Sequence, residues 1–396
     1  MSLFKFALQA CSVLILTGSL AACAAAESDL KQSEEQQREE QQAEERQDEQ
    51  YSYAHAAFGG DLSTAEADLM ASSLPSHKEV LEKFRARFIK RTDIRDYSDI
   101  EDEALREVAL LYQDYWIETL LDPERRPEQE LALLKGLRVV VDKYENAAAA
   151  DAVISLEQLE ELKNNPAFSG TRGAATLRLE DWLEGRGHSL LLGRTAPLLD
   201  FMLWRNTNTF TKSVEITDGV EDVTVHHLSD FISRGWQRFA VLEYYFGVGG
   251  WTNDGGIFTV VDGFDVTSEK YELDLKHEAR HHADLKYKNL SADDLEYRAK
   301  LTELAFASET LENLLAVFTS SADRNSQNAH QVAGYFVVKH VREELNISDT
   351  NAEWWKGFDP NQIRTAARDV LARNTTLLES KRTEYGGLLS ERNADK

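Results

Sequence analysis

His277 and His281 stand four residues apart, and Glu278 directly follows the first. On a helix this spacing puts both imidazoles on one face, one turn apart, where two ring nitrogens can reach a single ion. Neutral imidazole is a good ligand for zinc. Glu278 falls beside the coordination position that the two rings leave open. A carboxylate there can act as general base on a metal-activated water and then pass the proton to a leaving group. The His-Glu-x-x-His pattern therefore predicts one Zn2+ per chain and a hydrolytic reaction with Glu278 as the catalytic carboxylate.

A zinc site needs a third protein ligand. Ser291-Ala-Asp-Asp294 reads as a capping box with Asp in place of the usual Glu, and it opens a helix that runs to about Ala307. Glu296 and Glu303 lie seven apart on one face of that helix. Either can complete the site, which leaves the other to orient a ligand or to face solvent. Asp284, three residues after His281, can orient a ligand or pair with Arg298. His282 points about 100° away from His281 and is read as non-ligating. Candidates to stabilise developing negative charge are His330, Tyr335 and His340 on an apolar helix, and His226 or His227. Each of these also has an ordinary structural role open to it.

Taken together, His277, Glu278, His281 and a Glu on the next helix resemble the HExxH zinc metallopeptidases of gluzincin type, over residues 255–307. Glu296-x-x-Ala299 is similar to the third-ligand helix of that family, where a Glu completes the site and a small residue lets the helices approach. The resemblance implies Glu296 as third ligand, with Glu303 the alternative. It also implies a zincin-like fold and a peptide or protein substrate laid along a sheet edge, for which Ile257–Val261 is the candidate strand. Two other readings stand beside it. One is a non-catalytic cell-envelope lipoprotein with a zincin-like scaffold. The other is a di-iron carboxylate protein, since Glu278-x-x-His281 also fits the Glu-x-x-His motif of such bundles. Those bundles use two copies, and the sequence offers one.

The elements that must position these residues are of two kinds. Ser213–Thr217 and Val223–Val225 alternate around an Asp218-Gly219 turn signal, and Ile257–Val261 is a short apolar strand. They predict a small, mainly antiparallel sheet just before the motif helix. The stretch 230–246 between them reads as helix. From His77 to about 186 the apolar residues recur at three and four, as in Val80, Leu81, Phe84 and Phe88, or Leu105, Val108, Leu111, Tyr112 and Tyr115. The expected fold class is α+β, mostly helical, with a helical subdomain at 77–186 and the site-bearing domain at 187–396.

The N-terminus suggests a destination. An apolar run from Phe6 to Leu16 is too short to span a bilayer but suits a signal peptide over 1–22. Leu20-Ala21-Ala22-Cys23 resembles a bacterial lipobox, which implies lipidation of Cys23 and anchoring in the cell envelope. Ala24 after the cysteine, where Asp would retain the protein, points by the same resemblance to the outer membrane, facing the periplasm. Residues 23–76 follow as a tether whose Glu- and Gln-rich start cannot bury enough apolar surface to fold alone. The chain carries a formal charge of −25 without a strong basic stripe, which excludes nucleic acid as a partner and leaves the lipid as the only membrane contact. Cys11 and Cys23 are the only cysteines, so the folded part has neither a disulfide nor a cysteine metal site.

Overall fold

A computed structural model describes residues 53–381 and Gly387, apart from 55, 58, 165–168, 194–196, 243–248, 289, 327, 349–350 and 352. The leader, Cys11, Cys23 and the Glu- and Gln-rich stretch lie outside the described residues. No described helix is long and apolar enough to cross a membrane. The protein is α+β and mostly helical, with one five-stranded sheet. It divides into two compact units. One gathers residues up to 179 with 192–201 and 235–245, and the other 180–191, 202–234 and 246–396. Two short excursions, 192–201 and 235–245, cross the division near 180.

The first unit is helical. Its helices are α1 (Leu62–Ala71), α2 (Pro75–Phe84), α3 (Glu103–Leu121), α4 (Arg126–Tyr144), α5 (Ala147–Val153), α6 (Leu156–Asn164) and most of α7 (Ser169–Glu184). Asp102 caps α3 by accepting from the Ala104 and Leu105 amides. Val108, Ala109, Tyr112 and Trp116, at helical spacing, are buried beneath it. The packed structure begins earlier than the composition suggests. Asp61 caps α1, whose Leu62, Ala65 and Leu69 share one buried face, as do Tyr53, Ala54 and Ala57 just before it. The tether boundary at 76 is therefore too late. Small apolar residues at three- and four-residue spacing suffice for a packed helix even beside a polar tract.

The second unit holds the sheet and the site. The strands are β1 (Ser189–Leu192), β2 (Phe201–Ile216), β3 (Gly219–Arg234), β4 (Gly250–Asn253) and β5 (Gly256–Val260), in the order β1-β2-β3-β5-β4. Ile216 pairs with Gly219, so Thr217 and Asp218 make the hairpin turn, one residue before the expected pair. β3 and β5 run parallel, whereas β2 and β3, and β4 and β5, pair antiparallel. Two expectations fail here. The stretch from Asp230 is strand as far as Arg234, and among its described residues the helix is confined to Gly235–Ala240, α8. Pairing with β2 at Phe231 and Ser233 overrides the helix-like spacing. Gly235 at φ +85° makes the corner, where a Cβ would strike the Asp200 carboxylate that accepts from the Trp236 amide. The other failure concerns β5, which lies between β3 and β4 and is no edge. The edge strand beside the site is β4.

The motif helix α9 (Glu269–Asp284) starts at Ser268, whose hydroxyl accepts from the Tyr271 amide. Its Tyr271, Leu275 and Ala279 pack on Val223, Val225 and Ile257 of the sheet. Helix α10 (Ala292–Phe306) begins with the predicted capping box of Ser291 and Asp294. With α11 (Leu311–Ser320), α12 (Ala329–Glu344) and α13 (Pro360–Lys381) it encloses a second core of Leu301, Leu304, Leu315, Val332, Phe336 and Leu371.

Candidate metal centre

His277 and His281 each lie two residues beyond a sheet-packing residue, Leu275 and Ala279. A two-residue step turns a side chain about 200° round the helix, away from the sheet and toward α10. Glu278, three residues after Leu275, returns toward the sheet side. The helix thus sends its two imidazoles one way and the carboxylate between them another. Ala299 on α10 is wholly buried, and its small side chain suits a close helix crossing.

Three donors converge at that crossing. The Nε2 atoms of His277 and His281 are 3.0 Å apart. Glu296 places Oε2 at 3.5 Å from the first and Oε1 at 3.6 Å from the second. Among the described residues this is the group of His, Asp and Glu atoms gathered closely enough for one ion. Tetrahedral zinc with ligand bonds of about 2.0–2.2 Å holds neighbouring donors about 3.3 Å apart. The observed separations bracket that value, and two imidazoles with a carboxylate suit zinc chemically, so the residues fit this metal. Two Nε2 lone pairs at 3.0 Å would also repel unless a proton or cation lay between them.

The rival glutamates take opposite sides of one ring. Glu303 Oε1 accepts a hydrogen bond from His277 Nδ1 at 2.5 Å. That bond fixes the proton on Nδ1 and turns the Nε2 lone pair toward His281 and Glu296. Sequence spacing alone left Glu296 and Glu303 open, and the geometry sorts them into the converging donor and the orienting partner. His281 lacks such a partner: its Nδ1 is buried with none among the described residues.

The electrostatics follow from this crowding. Burial disfavours charge on His277, but the Glu303 carboxylate, its hydrogen bond, and Glu296 and Glu278 outweigh it and push the pKa up to about 9. Burial likewise favours the neutral acid at Glu303, yet the charge and hydrogen bond of His277 hold it below the usual carboxylate range. Glu296 is also held ionised, by His281 and His330 against its burial. Below about pH 9 the His277 ring is thus a cation held between carboxylates.

Other expected residues have definite places. Asp284 does not join the histidines. Its two oxygens accept from Arg298 Nε at 2.7 Å and Nη2 at 3.0 Å, in a fully buried pair that ties α9 to α10. Of the two roles open to it, the Arg298 pairing is the one adopted. His282 lies 3.4 Å from Glu221, away from the converging donors. His330 reaches the centre from α12, with Nδ1 2.8 Å from Glu296 Oε2 and a largely exposed ring. The remaining candidates are engaged elsewhere: His340 with Tyr297, His227 with Tyr271, His226 with Thr209, and Tyr335 against Phe336. One contact has no forewarning in the sequence. Thr252, on β4, donates to Glu278 Oε2 at 2.7 Å.

No family model, curated protein or solved structure matches the chain.

Proposed function

We propose that the protein is a zinc-dependent hydrolase of gluzincin-like design, acting on peptides or proteins. The observation that carries this reading is the convergence of His277 Nε2, His281 Nε2 and Glu296 at zinc-ligand spacing, with the Glu278 carboxylate near enough to help raise the pKa of His277 and held by Thr252. Zinc supplies a Lewis acid that brings the pKa of water down to about 7. His277 and His281, through Nε2, and Glu296 would hold it, and Glu303 keeps His277 in the required tautomer. Glu278 takes the proton of the attacking water and hands it to the leaving amine. His330, exposed beside Glu296, is the best placed of the expected residues to meet developing negative charge on the substrate. The edge strand β4 offers backbone groups to an extended chain.

The test is a pair of measurements on the full chain. Glu278→Gln should keep one zinc and lose hydrolysis of a mixed peptide substrate by about 1000-fold or more, as expected when the essential base is removed. Retained hydrolysis in that variant rules out the mechanism. Anchoring through Cys23 is proposed with it: fatty-acid labelling should follow the full chain and vanish in Cys23→Ala. A full chain that takes up no label disproves the anchor and leaves the metal centre untouched.

A further inference from the structure

We propose that Thr252 is a positioning residue for Glu278, fixing which carboxylate oxygen of the base meets the substrate. The inference rests on the zinc-hydrolase reading above and adds a residue to it. β4 is the edge strand, and Thr252 pairs there with Ile257 of β5. Directly paired residues share a face, and Ile257 packs against α9. Thr252 therefore faces the motif helix. A β-branched side chain on a strand has few χ1 choices, so its hydroxyl direction is largely set by the backbone.

The Thr252 hydroxyl lies 2.7 Å from Glu278 Oε2 and 3.1 Å from the Glu278 carbonyl oxygen. Both are acceptors competing for one hydroxyl proton. The shorter contact, to an ionised acceptor, is the stronger of the two. Among the described residues Glu278 Oε1 makes no hydrogen bond, so Thr252 occupies one oxygen and leaves the other for proton transfer. A glutamate side chain has three rotatable bonds, and restraining one oxygen removes most of its alternative orientations. Because Thr252 belongs to the edge strand, the same backbone that would pair with a substrate also sets the base.

The discriminating experiment compares the full chain with Thr252→Val, Thr252→Ser and Glu278→Gln after exchange of the metal for cobalt. Cobalt uptake is read from its visible spectrum. Acetohydroxamate is then titrated, because its N–OH proton needs a nearby carboxylate acceptor. Thr252→Val should bind cobalt within about twofold of the unmutated protein but acetohydroxamate about tenfold more weakly, the loss expected for one hydrogen bond to a charged group. Thr252→Ser, which restores the hydroxyl, should recover binding to within about threefold. A merely structural role for Thr252 would alter cobalt uptake and thermal stability without splitting the two affinities. Unchanged acetohydroxamate binding in Thr252→Val, or a Ser variant no better than Val, overturns the assignment while the metal centre stands. Failure of the unmutated chain to take up cobalt overturns the metal reading itself, and the Thr252 role with it.

Discussion

Removing the charge of Glu303 should weaken zinc binding by an amount that depends on pH. Two effects of the 2.5 Å bond to His277 oppose each other. The carboxylate makes His277 a better oriented and more basic ligand, and loss of such a partner typically costs 10–100-fold in affinity. The same carboxylate, with its neighbours, holds a proton on His277 up to about pH 9, and that proton must leave before metal binds. At pH 7, two units below, the competition weakens apparent affinity up to about 100-fold. Glu303→Gln keeps the shape and an acceptor oxygen but removes the charge, so it loses basicity and relieves the competition together. Its zinc affinity should be about tenfold below the unmutated protein at pH 9 and close to it at pH 7. The assay is competition against a chromophoric chelator at several pH values, with circular dichroism to confirm the fold. A penalty that is equal at pH 7 and 9 refutes the coupling. Glu303→Ala that loses all stoichiometric zinc, beside Glu296→Ala that keeps it, refutes the assignment of the two glutamates.

The metal-free protein should show the same group in its stability. His277 has a folded pKa of about 9 against an ordinary 6.5, so its contribution is complete below pH 6.5 and lost as pH rises to 9. That contribution is up to about 3 kcal/mol, and chelated protein should unfold at lower denaturant at pH 9 than at pH 6.5, with His277→Ala removing the difference. Arg298→Ala should destabilise by about 1–3 kcal/mol, because it removes two charge-assisted hydrogen bonds from the buried Asp284 carboxylate and leaves it only the 3.6 Å contact with Arg280; an unaltered melting temperature would contradict this. Ala299→Leu should cost about 1–3 kcal/mol by forcing apart the α9–α10 crossing, and zinc affinity should fall with it. Full zinc binding in that variant would show that the crossing does not set the site.

The sequence made the motif helix, its successor and the capping box at Ser291 legible, because each has a local signature: a four-residue histidine spacing, an apolar stripe, a serine three residues before an acid. The hairpin turn was legible to within a residue for the same reason. What long-range pairing decides was not. β3 runs on through a helix-like stretch because β2 pairs with it, and β5 becomes an interior strand because β4, a four-residue segment rich in turn formers, pairs on its far side. Thr252 touches Glu278 across that same pairing, so no spacing along the chain could reveal it. The choice between Glu296 and Glu303 depends on which side of one imidazole each reaches. Two residues seven apart share a helix face and cannot be told apart by periodicity. Tyr53 to Ala71 lay hidden beside a polar tract whose composition dominated the reading.

Metal content tests the zinc site most directly. The full chain, purified without chelator and analysed by mass spectrometry of its elements, should carry one zinc. His277→Ala, His281→Ala and Glu296→Ala should each carry almost none. Protein free of zinc that takes up none on addition, or protein holding two irons per chain, would contradict it.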